Sequence, residues 1–159
     1  MNEDLKTAKQ EFKDNGRPYQ TYSYYLGVPI ATIVLMGLAM LGLNTNSSLG
    51  LLLFIFTVVA HVGASKLTKI SKRKYVAPIL IYIANIISII LIPILFKDLS
   101  AGGSGDTYFS YVGLFFLPLE IIAIIFFFIS AHDIKKAYPT MKQDFQTARS
   151  KYLEIKRGK

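Results

Sequence analysis

The apolar positions of this 159-residue chain fall in long blocks. The 48 residues between Arg17 and Lys66 contain no Asp, Glu, Lys or Arg, and neither do the 22 from Tyr75 to Phe96. The 26 residues from Thr107 to His132 contain one, Glu120. A hydrocarbon core of about 30 Å needs about 20 apolar helical residues. The first block is too long for one crossing, and it breaks at the polar run Asn44-Thr45-Asn46-Ser47-Ser48. The pattern therefore predicts four spans, at about 22–43, 48–65, 76–96 and 108–131. An open sheet would leave its edge groups unpaired in lipid, and the blocks lack the alternation of a barrel. The predicted fold is all-α, an integral membrane bundle of four transmembrane helices over residues 21–131. Short cytoplasmic helices are expected at both termini.

The terminal segments carry their own helical pattern. In residues 1–20, Leu5, Ala8 and Phe12 share one face, and Asn15-Gly16 predicts a helix stop. Residues 132–159 read as a basic helix, with Thr140 as its expected N-cap after Pro139. Met141, Phe145, Ala148, Tyr152 and Ile155 recur at spacings of four, three, four and three. This stripe must lie on the membrane, on the N-terminal helix or on a partner. The stretch SAGGSGD, residues 100–106, resembles a flexible linker.

Charge adds orientation. Of the 18 Lys and Arg, 17 lie in residues 1–20, 66–75 and 131–159, and Lys97 is the exception. The positive-inside rule places that side in the cytoplasm, with both termini inside a multi-pass plasma membrane protein. The net charge of +8 is absorbed by topology and by anionic headgroups, so nucleic acid is not an expected partner. Lys72, Arg73 and Lys74 lie beside the membrane and are expected to meet those headgroups. Tyrosines at 19, 22, 24, 25, 75, 108 and 111 mark the interfaces. The chain has no cysteine, which excludes disulfides and thiolate metal sites.

The candidate chemistry lies inside the spans. A carboxylate near mid-span costs about 2.5 to 3.5 kcal/mol on insertion scales, so Glu120 must be paired or carried as the neutral acid. Depth matching selects Asn85 on span three as its leading partner, on a face shared with Tyr82 and Ser88. Pro118 should free the carbonyl of Leu114 near Glu120. Gly113 and Ala123 suggest a packed face. Three readings follow: a hydrogen bond that fixes helix register, a proton- or cation-linked site or polar ligand contact, or a polar interface with another protein. His61 and His132 sit near the cytoplasmic boundary, and the second adjoins Asp133. Two histidines without a close-spaced motif predict no metal site. Short echoes, such as Ala60-His61 with Ala131-His132, are what a duplicated hairpin would leave.

Asn46-Ser47-Ser48 forms a sequon, on a loop too short to favour glycan transfer. Catalytic signatures and cofactor fingerprints are lacking, so no enzyme activity and no cofactor are expected. The leading expectation is a non-enzymatic accessory, regulatory or self-protection subunit that binds another membrane protein or self-associates. A small oligomeric carrier or channel using Glu120 is the alternative, and an enzyme acting on lipid comes third.

Overall fold

The computed structural model describes residues 3–43 and 47–158, with no side-chain description for Ser47. The polar break at Asn44 to Asn46, with its sequon, lies outside the described residues. The described residues form five α-helices: α1 (Glu3–Met40), α2 (Ser47–Ser65), α3 (Val76–Ser100), α4 (Asp106–Ala137) and α5 (Met141–Arg157). A 3₁₀ turn, Lys72–Tyr75, leads into α3. Helices α1 to α4 are each long and apolar enough to cross a membrane. The protein is a multi-pass membrane protein with an all-α bundle.

Around the bundle, α1 packs on both α2 and α4, and α4 packs most extensively on α3. The seam that closes the ring, α2 against α3, is sparse. Small side chains line the seams: Ala60 and Ala64 on α2, Ala77 and Ala84 on α3, and Ala123 and Ala131 on α4 are all buried. Lipid offers no hydrophobic drive for helix association, so close backbone approach through small residues supplies the packing. Large aliphatic side chains such as Ile86, Ile90, Leu114 and Ile125 point outward. In a bilayer they meet acyl chains.

Two expected boundaries are corrected. Asn15-Gly16 does not stop a helix, since α1 continues through Gly16 and Pro18 into the first span. The reason is tertiary. A Cβ at Gly16 would lie 2.9 Å from the Phe145 ring, so this glycine is the seat for α5. The break expected near residue 131 also moves. Helix α4 carries His132, Asp133, Lys135 and Lys136 and ends only at Ala137, before the turn at Tyr138-Pro139-Thr140. Thr140 does precede α5, but its hydroxyl donates to the Asp144 carboxylate at 2.9 Å and caps no backbone amide.

The apolar stripe of α5 lies along the first half of α1. Phe12 stacks on Tyr152 and tilts against Phe145, with centroids 5.7 and 5.5 Å apart. Tyr19 stacks on Phe145, and Lys151 pairs with Glu11 at 2.6 Å. The two termini thus form a two-helix stem at the basic end of the bundle. At the opposite end the expected linker is an ordered turn. Gly102 has φ of +78°, and the Gly103 amide donates to the Asp98 carbonyl at 2.9 Å. A left-handed residue after the last turn is the usual glycine finish of a helix.

Candidate functional site

At mid-bundle one cavity of about 130 Å³ is lined by all four spans. Helix α1 contributes Thr32, α2 contributes Thr57 and Phe54, α3 contributes Asn85, and α4 contributes Phe116 and Glu120. Thr32 and Thr57 are buried, and Glu120 is half-buried. Each polar residue reaches the cavity because it lies on its helix's packed stripe. On α1, Tyr25, Val28 and Thr32 are buried at spacings of three and four. On α2, Thr57, Ala60 and Ala64 do the same.

Glu120 and Asn85 therefore meet at one cavity, as depth matching implies, but they do not form the expected bond. The Asn85 amide nitrogen donates to the Ile81 carbonyl at 2.7 Å, within its own helix. Thr57 donates to the Leu53 carbonyl at 2.9 Å, and Ser88 to the Ala84 carbonyl at 3.1 Å. Short polar side chains on a helix often satisfy their donors locally. What is left for the cavity is mainly acceptor oxygen, beside the second amide hydrogen of Asn85. The Asn85 carbonyl, the Thr57 hydroxyl and the Glu120 carboxyl all retain lone pairs. Among the described residues, no protein group hydrogen-bonds the Glu120 carboxyl. Pro118 and Leu114 are both exposed, and no bond from Glu120 to the Leu114 carbonyl is present among the described residues. Ala123 is buried as expected, whereas a Cβ at Gly113 would meet open space.

A second polar layer lies towards the basic end. His61, one turn after Thr57 on α2, contacts Tyr82 of α3 through Nδ1 and the phenol oxygen at 3.1 Å. Its ring stacks on Tyr82 and tilts against Tyr75. Tyr82 lies three residues before Asn85. Polar groups on α2 and α3 thus continue from the cavity towards the end that carries both termini. His132 is exposed, so the echoed Ala-His pairs have diverged in setting. No group of three or more His, Asp or Glu among the described residues is placed to share a metal ion.

Lys74 departs from its expected place at the headgroups. It is buried, its ammonium donates to the Leu67 carbonyl, and it lies 5.1 Å from the centroid of the Tyr75 ring. Leu67 follows the last turn of α2, where unpaired carbonyls favour a cation. The backbone carbonyl of Lys74 accepts the Tyr25 hydroxyl, and Tyr25 packs edge-on to Phe127 at 5.2 Å. Lys74 thus ties three helices together at the basic end. Lys72 and Arg73 remain exposed. Arg73, Lys69, Lys136 and Asp133 line an open cleft of about 550 Å³.

The signal for Thr32 is its place seven residues after Tyr25, on the face that a boundary tyrosine marks. Sequence reasoning passes over it because a threonine in a span carries little cost. No protein-family model matches the chain, and neither the curated proteins nor the solved structures include a match.

Proposed function

We propose that this protein is a small carrier or channel-type membrane protein that holds a proton or a small monovalent cation at Glu120. The observation that carries this reading is the mid-bundle cavity in which Glu120, Asn85, Thr32 and Thr57 converge from four helices. Intramembrane carboxylates face such cavities where they bind or relay cations. The oxygens of this set are hard ligands, and they suit a proton, hydrated or not, or an alkali cation better than a soft metal. The His61–Tyr82 layer supplies a second polar step between the cavity and the basic end.

The test is flux in vesicles. Full-length protein is reconstituted with a dye for protons, sodium or potassium inside, and the matching gradient is imposed in turn. One gradient should drive a signal that Glu120→Gln abolishes while thermal stability stays within about 3 °C of wild type. Gln keeps the shape but cannot ionise. Flux equal in wild type and Glu120→Gln, or none in either, overturns the reading.

The basic end is proposed to face the cytoplasm of a plasma membrane, by the asymmetry of lysine and arginine. Cysteines introduced as Ser71→Cys and Ser150→Cys should resist an impermeant thiol reagent in intact cells, and Ser104→Cys should react. The reverse pattern inverts the topology.

One observation favours the accessory-subunit reading as a second. The stem of α1 and α5 extends beyond the spans and is fastened by three aromatic contacts and an ion pair. Such a platform is more than a minimal carrier needs. A partner seated on it should be lost from mild-detergent extracts when Phe145→Asp and Tyr152→Asp open the stem. Retention of the partner removes that reading.

A further inference from the structure

Two cavities lie along the α1–α2 seam on either side of Tyr24. The one nearer the basic end, about 300 Å³, is lined by Arg17, Gln20, Thr21, Val62 and Lys66, among others. The deeper one, about 500 Å³, is lined by Gly27, Ala31, Val34, Leu52 and Phe56, among others, and is almost wholly apolar. Tyr24 lines both, with its ring tilted against Phe56 at 5.8 Å. We propose that the two cavities together form one groove that binds one anionic phospholipid, with its headgroup between Arg17 and Lys66 and an acyl chain passing Tyr24 along α1.

Dimensions, charge and chemistry agree on that occupant. From Ser23 to Leu35 the groove follows about twelve residues of α1, roughly 18 Å at 1.5 Å per residue. One leaflet of a hydrocarbon core of about 30 Å is roughly 15 Å deep. The apolar part of the groove is therefore about as long as one leaflet is deep, and its charged mouth lies at the basic end, where headgroups sit. Lys66 is exposed, and no carboxylate lies within ion-pair reach of it among the described residues. Arg17 pairs with Asp14 at 2.9 Å through one terminal nitrogen. A guanidinium has five N–H donors, so others remain for a phosphate. The mouth thus presents two cations against one carboxylate. The floor is open at Gly27, where an added Cβ would meet nothing within 4 Å. Glu120 does not line the groove, although Val28 and Leu53 line both its deeper cavity and the Glu120 cavity, and the proposal does not depend on the flux reading.

The experiment uses the full-length chain, released from mixed phosphatidylglycerol and phosphatidylcholine nanodiscs into native mass spectrometry. Wild type should retain one phosphatidylglycerol in preference to phosphatidylcholine. Arg17→Gln with Lys66→Gln should reduce that preference by about 30-fold, from two basic residues near the surface. Gly27→Leu should expel the chain by filling the floor, and it should melt like lipid-free wild type. Lys72→Gln with Arg73→Gln should leave the retained lipid in place. The charge variants sit at the mouth and test the site even if Gly27→Leu fails to fold. Equal retention of both lipids by wild type overturns the proposal. So does full retention by the charge variants or by folded Gly27→Leu, loss in the Lys72 and Arg73 control, or a protein helix crosslinked at the groove instead of lipid.

Discussion

Replacing Tyr25 with alanine is expected to lower the midpoint of thermal unfolding in detergent by about 10 °C. Tyr25 is fully buried and packs edge-on to Phe127 of α4. Its hydroxyl donates to the carbonyl of Lys74, whose ammonium in turn holds the loop after α2 through Leu67. Truncation therefore empties the largest buried side-chain volume and also leaves a buried carbonyl without its donor. Loss of a large aromatic from a packed interior costs roughly 3 to 5 kcal/mol. At this chain length each kcal/mol moves the midpoint by roughly 2 to 4 °C. Tyr25→Phe keeps the ring and removes only the hydrogen bond, for about 1 kcal/mol. Its midpoint should fall by about 3 °C. Equal effects of Ala and Phe would mean that the hydroxyl, and not ring packing, dominates. A change under about 2 °C for alanine would show that the Tyr25–Lys74 tie contributes little.

Gly63→Leu should release α2 from α1. A Cβ at position 63 would lie 2.5 Å from the Thr21 hydroxyl oxygen and 3.4 Å from its Cβ. Thr21 is buried and β-branched, so it has little freedom to swing away. The helices must separate, and α2 has little else to hold it because its seam with α3 is sparse. Overpacking costs about 1 to 3 kcal/mol, and the upper end applies to leucine here. Faster proteolysis after Lys66 and Lys69 should accompany the loss. The cause is checked with the smaller pair. Gly63→Ala alone should destabilise, and Thr21→Ala with Gly63→Ala should recover at least about 1 kcal/mol of that loss. The double variant leaves only the 3.4 Å Cβ contact, an alanine-on-alanine crossing of the kind membrane helices use. Additive losses in the double variant would place the strain elsewhere.

Several features are legible in the order of residues alone. Hydropathy is a local property, so the four spans follow from 48, 22 and 26 residues of nearly uncharged chain. The α5 stripe is equally plain, since Met141 and Ala148 are buried and Phe145 and Tyr152 meet Phe12. Its neighbour is not legible, because periodicity names a face and, though membrane or self-packing is favoured over a partner, does not choose among them. Glu120 stands out by its cost in hydrocarbon, and its depth leads to Asn85.

Other features depend on pairings that only the assembled bundle makes. Gly16 resembles a helix stop in isolation, and it sits within α1 because Phe145 of α5 occupies the space beside it. Lys74 is one of five basic residues in a row of ten, and only the fold turns it inward to the Leu67 carbonyl. Asn85 has two acceptors open to it, and the Ile81 carbonyl one turn away prevails over a carboxyl on another helix. The sequence alone determined the number of spans, their ends in charge and the polar residues that must avoid lipid, since these follow from the transfer of each residue between water and hydrocarbon. Tertiary structure alone decided which polar groups share the cavity, which glycines are contacts and which lysine is buried. Those outcomes depend on helix neighbours and crossing depth, and no local free energy encodes them.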